Sequence, residues 1–302
     1  MVQSVTRKIE YNKNKKASDD VAQTFKVMNE GIIKEFGGYL QKAEKSAATV
    51  EKYTRDCRQF LKILNGAPLT KEAVLQYKQH LKMSYTPKSA NSKLASINCL
   101  FAFLGRHDLK VKPLKLQQKV FCPEERELSR AEYTRLCRAA ERRQNERLSL
   151  ILQTICGTGI RVSELKFITV EAVRRGEAVV SCKTKTRAVF IVKELKQKLL
   201  RYAKKQGIQS GMIFVTKTGR AINRSNIWRE MKTLCRDANV NPEKVFPHNL
   251  RHLFARVFYE IEKDIAKLAD ILGHSSINTT RIYIISTGRE HRRRMERMHL
   301  IL

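Results

Sequence analysis

The stretch from Pro247 to Tyr283 constrains the fold more than any other part of the chain, because it predicts three consecutive short helices with marked ends. Pro247 suits the first helical turn, where no backbone N–H is needed. The first piece has apolar residues at helical spacing: Leu250, Leu253, Phe254, Val257, Phe258 and Ile261. The second piece stops at Gly273, a favourable residue just after a helix C-terminus. The third piece carries Tyr283, so we expect this part of the chain to be helical.

Histidine and arginine side chains cluster in the same stretch. On a helical wheel of about 100° per residue, His248, Arg251 and His252 lie away from the apolar stripe. They also lie near a helix N-terminus, whose free N–H groups favour an anion. His274 follows the second helical piece at once, and Tyr283 comes nine residues after it (283 − 274). The pattern predicts a phosphate-binding site with a tyrosine nearby in the sequence.

The order of these residues resembles the C-terminal signature of the tyrosine recombinase (phage integrase) family. That signature is H-x-x-R-H, then L-G-H, then T-x-I-Y. The sequence matches it with His248-Asn249-Leu250-Arg251-His252, Leu272-Gly273-His274 and Thr280-Arg281-Ile282-Tyr283. The resemblance covers roughly residues 27 to 302. It implies a mainly α fold with a small antiparallel β-sheet, in which an N-terminal helical core-binding domain and a C-terminal catalytic domain clamp DNA.

A third motif lies upstream of this signature. An apolar helix around residues 148 to 155 is predicted to end at Gly157-Thr158-Gly159, and a new helix is predicted to begin at Ile160-Arg161. This G-x-R-x-S-E-L stretch resembles the first catalytic arginine box of the family. We interpret Glu164 as a residue that orients basic neighbours.

Two β-rich runs, 178–182 and 187–192, predict a hairpin joined by Lys183-Thr184-Lys185-Thr186. The resembling family carries its catalytic lysine on this hairpin. Counting back from Arg187, Lys183 fits the K-x-K-x-R pattern of the family better than Lys185 does. Lys185 would then contact a backbone phosphate. Ordinary contact with the DNA backbone is the alternative interpretation for both lysines.

The resemblance assigns a role to each motif residue. The candidate catalytic residues are Arg161, Lys183, His248, Arg251, His274 and Tyr283. The two arginines would bind the non-bridging phosphate oxygens, and His274 would donate a hydrogen bond to the phosphate. Tyr283 would be the nucleophile, His248 its base and Lys183 the acid for the departing 5′-oxygen. His252 is left out of this set, because it could simply fix its helix.

Neither a cofactor nor a metal is expected, because a phosphotyrosyl link conserves the energy of the cleaved bond. A metal site is an alternative interpretation, since His248 and His252 have the i, i+4 spacing of zinc-protease helices. However, Asn249 stands where the H-E-x-x-H motif has glutamate, and Arg251 would repel a cation. The sequence therefore disfavours a metal hydrolase.

The charge of the chain points to the same partner. Its 60 Lys and Arg residues exceed its 29 Asp and Glu residues by 31, and the excess is spread along all 302 residues. Such a field attracts polyanions, although it could also serve only solubility. No long apolar span or basic amphipathic anchor suggests a membrane. The seven scattered cysteines contain no C-x-x-C pair, which fits reduced thiols in an intracellular protein. We expect a cytoplasmic, nucleoid-associated protein.

The sequence predicts four consecutive regions. Residues 1–26 form a basic flexible arm or a solubilising tail, residues 27–106 the helical core-binding domain, 107–123 a linker, and 124–302 the catalytic domain with a C-terminal docking segment. Helices are predicted at Val27–Lys45 and Thr49–Leu64, around residues 73–81, and from Pro87, capped by Thr86, to just before Gly105. Ser129 and Glu132 match a capping box. Further helices are predicted at Lys193–Lys205 and Arg224–Ala238, with Trp228 in the core.

The leading hypothesis is a site-specific DNA recombinase that cleaves and rejoins strands through a 3′-phosphotyrosine. It would integrate or excise a mobile element or resolve chromosomes. The resemblance implies double-stranded DNA as substrate, a homotetramer on paired sites, and accessory directionality or DNA-bending proteins. Residues 287–302 would then dock on a neighbouring subunit, bind DNA or pack on their own domain. Two alternatives are a non-catalytic DNA-binding protein of the same fold and a type IB topoisomerase-like enzyme.

Overall fold

The computed structural model describes residues 29–116, 127–182, 185–216, 218–284 and 295–298. The chain divides into two compact units, Met1–Gln118 and Lys119–Leu302. The expected N-terminal arm and most of the expected C-terminal docking segment lie outside the described residues. Within the described ranges, every helix is too short or too polar to cross a membrane.

The first unit is built from helices whose starts the sequence marks clearly. They are α1 Glu30–Lys42, α2 Ala47–Leu64, α3 Lys71–Ser84 and α4 Pro87–Phe103. The side chains of Ser46, Thr70 and Thr86 each accept a hydrogen bond from a backbone N–H of the following first turn. The prediction of Thr86 as the cap of α4 is confirmed. Helix α2 begins two residues before the predicted start because Ser46 provides the cap.

The core of the first unit extends beyond its last helix. After a 3₁₀ turn at His107–Leu109, Leu109 and Val111 are buried among the side chains of the helices. The amide of Asn98 exchanges two hydrogen bonds with the backbone of Val111, at 2.8 and 3.0 Å. This stretch was expected to begin the linker. Its apolar side chains and the Asn98 amide hold it against the helical unit instead.

The second unit is helical with one small sheet. Its helices are α5 Arg130–Arg142, α6 Glu146–Thr158, α7 Val170–Arg175, α8 Lys193–Lys205, α9 Arg224–Thr233, α10 Cys235–Ala238, α11 Pro247–Glu262, α12 Ile265–Leu272 and α13 Ile277–Ile284, with 3₁₀ turns at Val162–Phe167 and Pro242–Lys244. The capping box predicted at Ser129 and Glu132 opens α5. Helix α6 runs through Gly157 and is capped by Gly159, so the predicted glycine turn is a single residue with φ +65°.

The hairpin consists of strands β1 Glu177–Cys182 and β2 Lys185–Phe190, which pair antiparallel from Glu177↔Phe190 to Cys182↔Lys185. The predicted connection of four residues was therefore wrong. The ladder continues through Ser181↔Thr186 to Cys182↔Lys185, so Lys185 and Thr186 belong to the strand. Alternate side chains point inward, so Val180 and Val189 are buried while Phe190 is exposed.

Helix α9 corrects a prediction about the single tryptophan. Trp228 was expected to pack in the core, but it is 47% exposed, and the ammonium group of Lys232 lies 5.4 Å from the centre of its indole. The helix buries Ile227 and Met231 instead. Because neighbouring positions on a helix differ by about 100°, a stripe through 227 and 231 turns position 228 towards solvent.

Candidate active site

Three chain segments of the second unit meet at one place. Helix α11 begins at Pro247, α12 is capped by Gly273 with φ +64°, and α13 carries Tyr283. Tyr283 packs with Ala255, Leu268 and Leu272 in a small apolar cluster of its own. This packing brings the H-x-x-R-H, L-G-H and T-x-I-Y motifs into contact.

The ring of Tyr283 is only 6% exposed and is surrounded by imidazoles. Its hydroxyl lies 3.2 Å from Nε2 of His248. The ring of His252 is stacked on it, with centroids 4.1 Å apart and planes 16° apart. The ring of His274 is tilted against it at 5.1 Å, and Cζ of Arg251 lies 6.0 Å from its centre. The tyrosine is therefore fixed both by its hydroxyl and by its ring.

Arg251 is 1% exposed, although it carries a full charge. Its Nη1 donates to the carbonyl of Gly159 at 2.6 Å, and its Nη2 donates to the carbonyl of Leu272 at 2.7 Å. Nε is buried without a hydrogen-bond partner among the described residues. Burial, and then the positive charge of Arg161, lowers the pKa of Arg251 to about 10. The side chain still remains cationic at neutral pH.

Arg161 lies three residues after the end of α6, directly before the 3₁₀ turn Val162–Phe167, and is more accessible, with one third of its side chain exposed. Its Nη1 donates to Oε1 of Glu164 at 2.9 Å, and its backbone N–H donates to Oε2 at 2.8 Å. Burial alone would raise the pKa of Glu164, but hydrogen bonds from Arg187 and Arg161 lower that pKa to about 2. Glu164 is thus an ionised carboxylate that orients basic neighbours, as its position in the sequence suggested.

His274 accepts from one neighbour and donates to another. Nε2 lies 3.0 Å from Nη2 of Arg251, which can only donate, and Nδ1 lies 2.9 Å from the hydroxyl of Thr280. This network places the single proton of a neutral imidazole on Nδ1. Burial, and then the charges of Arg251 and Arg161, lowers the pKa of His274 to about 4, which agrees with the neutral form. To donate to a phosphate, Nε2 has to gain a proton and release Arg251.

His252 is the residue that sequence reasoning left out of the site. Burial, and then the charge of His248, lowers the pKa of His252 to about 3, so its ring is neutral when it stacks on Tyr283. Its i, i+4 spacing from His248 was the available signal, because that spacing places both rings on one helical face. Thr280 and Arg187 were also not singled out, although both contact other site residues.

The hairpin lysines are the remaining part of the predicted site. Lys183 lies outside the described residues, and Lys185 is described only as the strand partner of Cys182. The assignment of the catalytic lysine to Lys183 stays a prediction. Within the described parts of the chain, no group of three His, Cys, Asp or Glu side chains is placed to hold a metal ion.

Comparison with known proteins agrees with this arrangement. The phage integrase family model matches residues 126–289, and the model of the phage integrase N-terminal SAM-like domain matches residues 33–108. Tyrosine recombinase XerA of Thermococcus kodakarensis is 30% identical over 281 residues, covering 89% of this chain and 96% of that protein.

Solved structures show the same fold. A crystal structure of XerA recombinase has 26% identity and a TM-score of 0.52, covering 90% of this chain and 99% of that one. A lambda integrase tetramer bound to a Holliday junction has a TM-score of 0.68 at 17% identity, covering 84% of this chain and 76% of that one.

These matches define the class of the protein, a tyrosine recombinase, which cleaves and rejoins DNA strands. The chain belongs to the phage integrase family. The predictions of the family, of the mainly helical two-domain fold and of a DNA strand transferase are thereby confirmed.

Proposed function

We propose that this chain cuts double-stranded DNA at specific sites through Tyr283, with Arg161, His248, Arg251 and His274 as the surrounding catalytic groups. The observation that carries the proposal is the 3.2 Å contact between the Tyr283 hydroxyl and Nε2 of His248, beside a buried guanidinium. A phenol has an unperturbed pKa of about 10 and needs a base or a cationic field to attack at neutral pH. The site supplies both.

The first step forms one bond and breaks one. The phenolic oxygen of Tyr283 attacks the phosphorus while its proton moves to Nε2 of His248. The bond between phosphorus and the 5′-oxygen breaks, and its electron pair leaves with that oxygen, which takes a proton from Lys183. The product is a 3′-phosphotyrosyl link and a free 5′-hydroxyl. Attack of a 5′-hydroxyl from another strand reverses these events and joins the new strands, so neither ATP nor a metal is needed.

The arginines suit the charge that develops during this step. A pentacoordinate phosphorane carries more negative charge than the diester, so cations stabilise it more than they stabilise the substrate. Arg251 keeps a buried Nε–H without a partner among the described residues, and Arg161 is one third exposed. A phosphate oxygen would satisfy the first donor and contact the second guanidinium. This argues for a bound phosphodiester more strongly than for a purely structural cluster.

Under this proposal, substrate binding has to change the described arrangement. Tyr283 is 6% exposed, so its hydroxyl has to become accessible before it can reach a phosphorus atom. His274 has to exchange its contact with Arg251 for a phosphate oxygen. Both changes involve α13 and the residues just before it. The ring contacts of Tyr283 are therefore part of a resting state that DNA binding replaces.

The substrate and the assembly are inferred from charge and from related proteins. The net charge of +31 suits a long polyanion such as duplex DNA. Because the lambda integrase of similar fold was captured as a tetramer on a Holliday junction, we infer a homotetramer on paired recombination sites here. Integration or excision of a mobile element, with accessory directionality or DNA-bending proteins, and chromosome resolution are the roles that suit this chemistry.

The test is to trap the covalent intermediate. The substrate is DNA from the chromosomal flanks of the gene, nicked near candidate repeats. After cleavage, the short fragment that carries the free 5′-hydroxyl diffuses away, so the strand cannot be rejoined. The DNA is mixed with the protein, and the mixture is then denatured in SDS. Wild type should form a protein–DNA adduct that Tyr283→Phe cannot form. Tyr259→Phe is the matched control, because Tyr259 packs beside the same apolar cluster and should leave the adduct unchanged.

The outcomes separate the candidate functions. An adduct with Tyr283→Phe would show that another residue is the nucleophile. DNA binding without an adduct in wild type, on DNA that contains the recombination site, would favour the non-catalytic DNA-binding protein. If wild type forms the adduct and also relaxes supercoiled DNA, but does not exchange strands, the topoisomerase-like enzyme would be favoured.

A further inference from the structure

Arg187 joins the hairpin to the arginine box in a way that the proposed mechanism does not use. Its side chain points inward from β2 and is 11% exposed. Nη2 donates to Oε2 of Glu164 at 2.8 Å, and Nη1 donates to Oε1 at 3.2 Å. This is a forked, charge-assisted pair, which is among the stronger polar contacts in proteins.

The same guanidinium also reaches the end of α12. Its Nε donates to the carbonyl of Ile271 at 3.0 Å. Gly273 leaves the room for this contact, because a Cβ at that position would lie 2.8 Å from Cδ of Arg187. Arg187 therefore touches the segment that precedes His274 as well as Glu164.

The charges in this cluster do not balance pairwise. Glu164 receives hydrogen bonds from both Arg161 and Arg187, so one carboxylate faces two cations. With Arg187 present, the positive charge of Arg161 is not cancelled. Without Arg187, the buried carboxylate of Glu164 would have Arg161 as its remaining arginine partner, and the two would form a closed, neutral pair. A closed pair would hold the guanidinium away from a phosphate and offer it no net charge.

We propose that Arg187 is a positioning residue that neutralises Glu164, so that Arg161 keeps its charge and its orientation for the DNA phosphate. The inference rests on the proposed function, because it concerns the same phosphodiester site. It goes beyond it by assigning a role to a strand residue that touches neither the phosphate nor Tyr283. It also makes the charge of Glu164 harmful to catalysis whenever Arg187 is absent.

Charge rescue tests this directly. Arg187→Gln should slow single-turnover adduct formation by roughly 10- to 100-fold, the range expected when a catalytic group is misplaced. Adding Glu164→Gln removes the carboxylate charge that would capture Arg161. The double variant should therefore cleave at least several times faster than Arg187→Gln alone. A double variant that cleaves as slowly as Arg187→Gln, or more slowly, would overturn the proposal.

A second substrate provides a readout that a merely structural role would not change. In a methylphosphonate diester, a methyl group replaces one non-bridging oxygen, so the charge that Arg161 would neutralise is absent. On this substrate, Arg187→Gln should form the adduct at nearly the wild-type rate. Arg161→Ala should also come close to the wild-type rate, because both variants affect the same phosphate charge. An equal defect on both substrates would mean that Arg187 only supports the fold. Rescue by a 5′-thio leaving group alone would place its effect on the hairpin lysine.

The controls use a similar ion pair elsewhere in the second unit. Nη2 of Arg147 donates to both carboxylate oxygens of Glu230, at 3.0 and 3.1 Å, and the two side chains are 27% and 29% exposed. Arg147→Gln should leave adduct formation unchanged. DNA affinity and thermal unfolding are measured for every variant, so that folding defects are recognised. If wild type itself forms no adduct, the proposed function fails first and takes this inference with it. If only charge rescue fails, the proposed function stands.

Discussion

The imidazole of His252 lies face to face with the phenol of Tyr283, with ring centroids 4.1 Å apart and ring planes 16° apart. His252 comes from α11 and Tyr283 from α13, so the contact joins two helices of the site. Burial, and then the charge of His248, lowers the pKa of His252 to about 3. A neutral ring adds no charge to a site that already holds two arginines, yet it restrains the plane of the tyrosine.

This contact predicts different effects for two substitutions of His252. His252→Ala removes the stacked ring and should slow adduct formation on nicked DNA by roughly 10-fold, because the tyrosine loses part of its orientation. His252→Phe keeps a flat ring at the same place and therefore most of the stacking energy, which is about 1 kcal/mol for an aromatic pair. This variant should stay within about 3-fold of wild type. Equal, large losses in both variants would show that the imidazole nitrogens of His252 matter instead of its ring.

The same histidine predicts how stability depends on pH. In the unfolded chain His252 takes up a proton below its ordinary pKa of about 6.5, whereas in the folded protein it stays neutral down to about 3. The unfolded state therefore binds more protons in this window, and stability falls as pH decreases from 6.5 towards 3. His274, with its pKa lowered to about 4, acts in the same direction.

His252→Phe removes one of these two contributions. Urea unfolding at pH 7 and pH 5 should show that the variant loses about 1–2 kcal/mol less stability than wild type between the two values. Substitution of the exposed His80 by Phe is the control for replacing a histidine elsewhere in the chain. A variant whose stability falls as steeply as that of wild type would mean that His252 is protonated in the folded protein.

Much of this site could be predicted from local sequence signals. Pro247 begins α11 and Gly273 caps α12, as the sequence indicated, because both residues act on the backbone of their own turn. The spacing of the motifs also predicted that His248 and Tyr283 would belong to one site. Helix α8 has the predicted bounds of Lys193–Lys205.

The contacts between distant segments could not be predicted in this way. Arg187 reaches Ile271 across 84 residues of sequence, and no local pattern indicates which carbonyl lies opposite a strand residue. The wheel of α11 placed Arg251 away from the apolar stripe but did not show that it would be 1% exposed. Its burial depends on the carbonyls of Gly159 and Leu272, which other segments supply.

Arg251 should not tolerate even a charge-conserving substitution. Lysine keeps the positive charge, but its single ammonium group cannot reproduce the two directions in which the guanidinium donates to Gly159 and Leu272. We expect Arg251→Lys to lower the free energy of unfolding by about 2–4 kcal/mol, because buried carbonyls lose their donors. Adduct formation should fall by roughly 100-fold or more.

The matched control for this prediction is Arg236→Lys, at an exposed arginine of α10. It should leave both the unfolding free energy and the adduct rate unchanged. If Arg251→Lys were as stable as wild type, the two carbonyl contacts would contribute little to the fold, and the burial of the guanidinium would need another explanation.

Gly159 links backbone geometry to the position of Arg251, which makes Gly159→Ala a test of both. Its φ of +65° costs an L-residue about 1 kcal/mol, and a Cβ would lie 2.5 Å from Cδ1 of Phe254. We expect a loss of about 2–4 kcal/mol in unfolding free energy, since the ring has to move as well. Gly207→Ala has a similar φ of +69° with open space around the Cβ, so it should lose only about 1 kcal/mol.

The two alanine variants should also differ in activity. The carbonyl of Gly159 accepts a hydrogen bond from Arg251, so a shift of this turn moves the guanidinium. Adduct formation should therefore fall by roughly 10-fold or more in Gly159→Ala, measured at a temperature where the variant is folded. It should stay at the wild-type rate in Gly207→Ala. Normal cleavage by a destabilised Gly159→Ala would show that Arg251 holds its position without this carbonyl, through Leu272 and His274 alone.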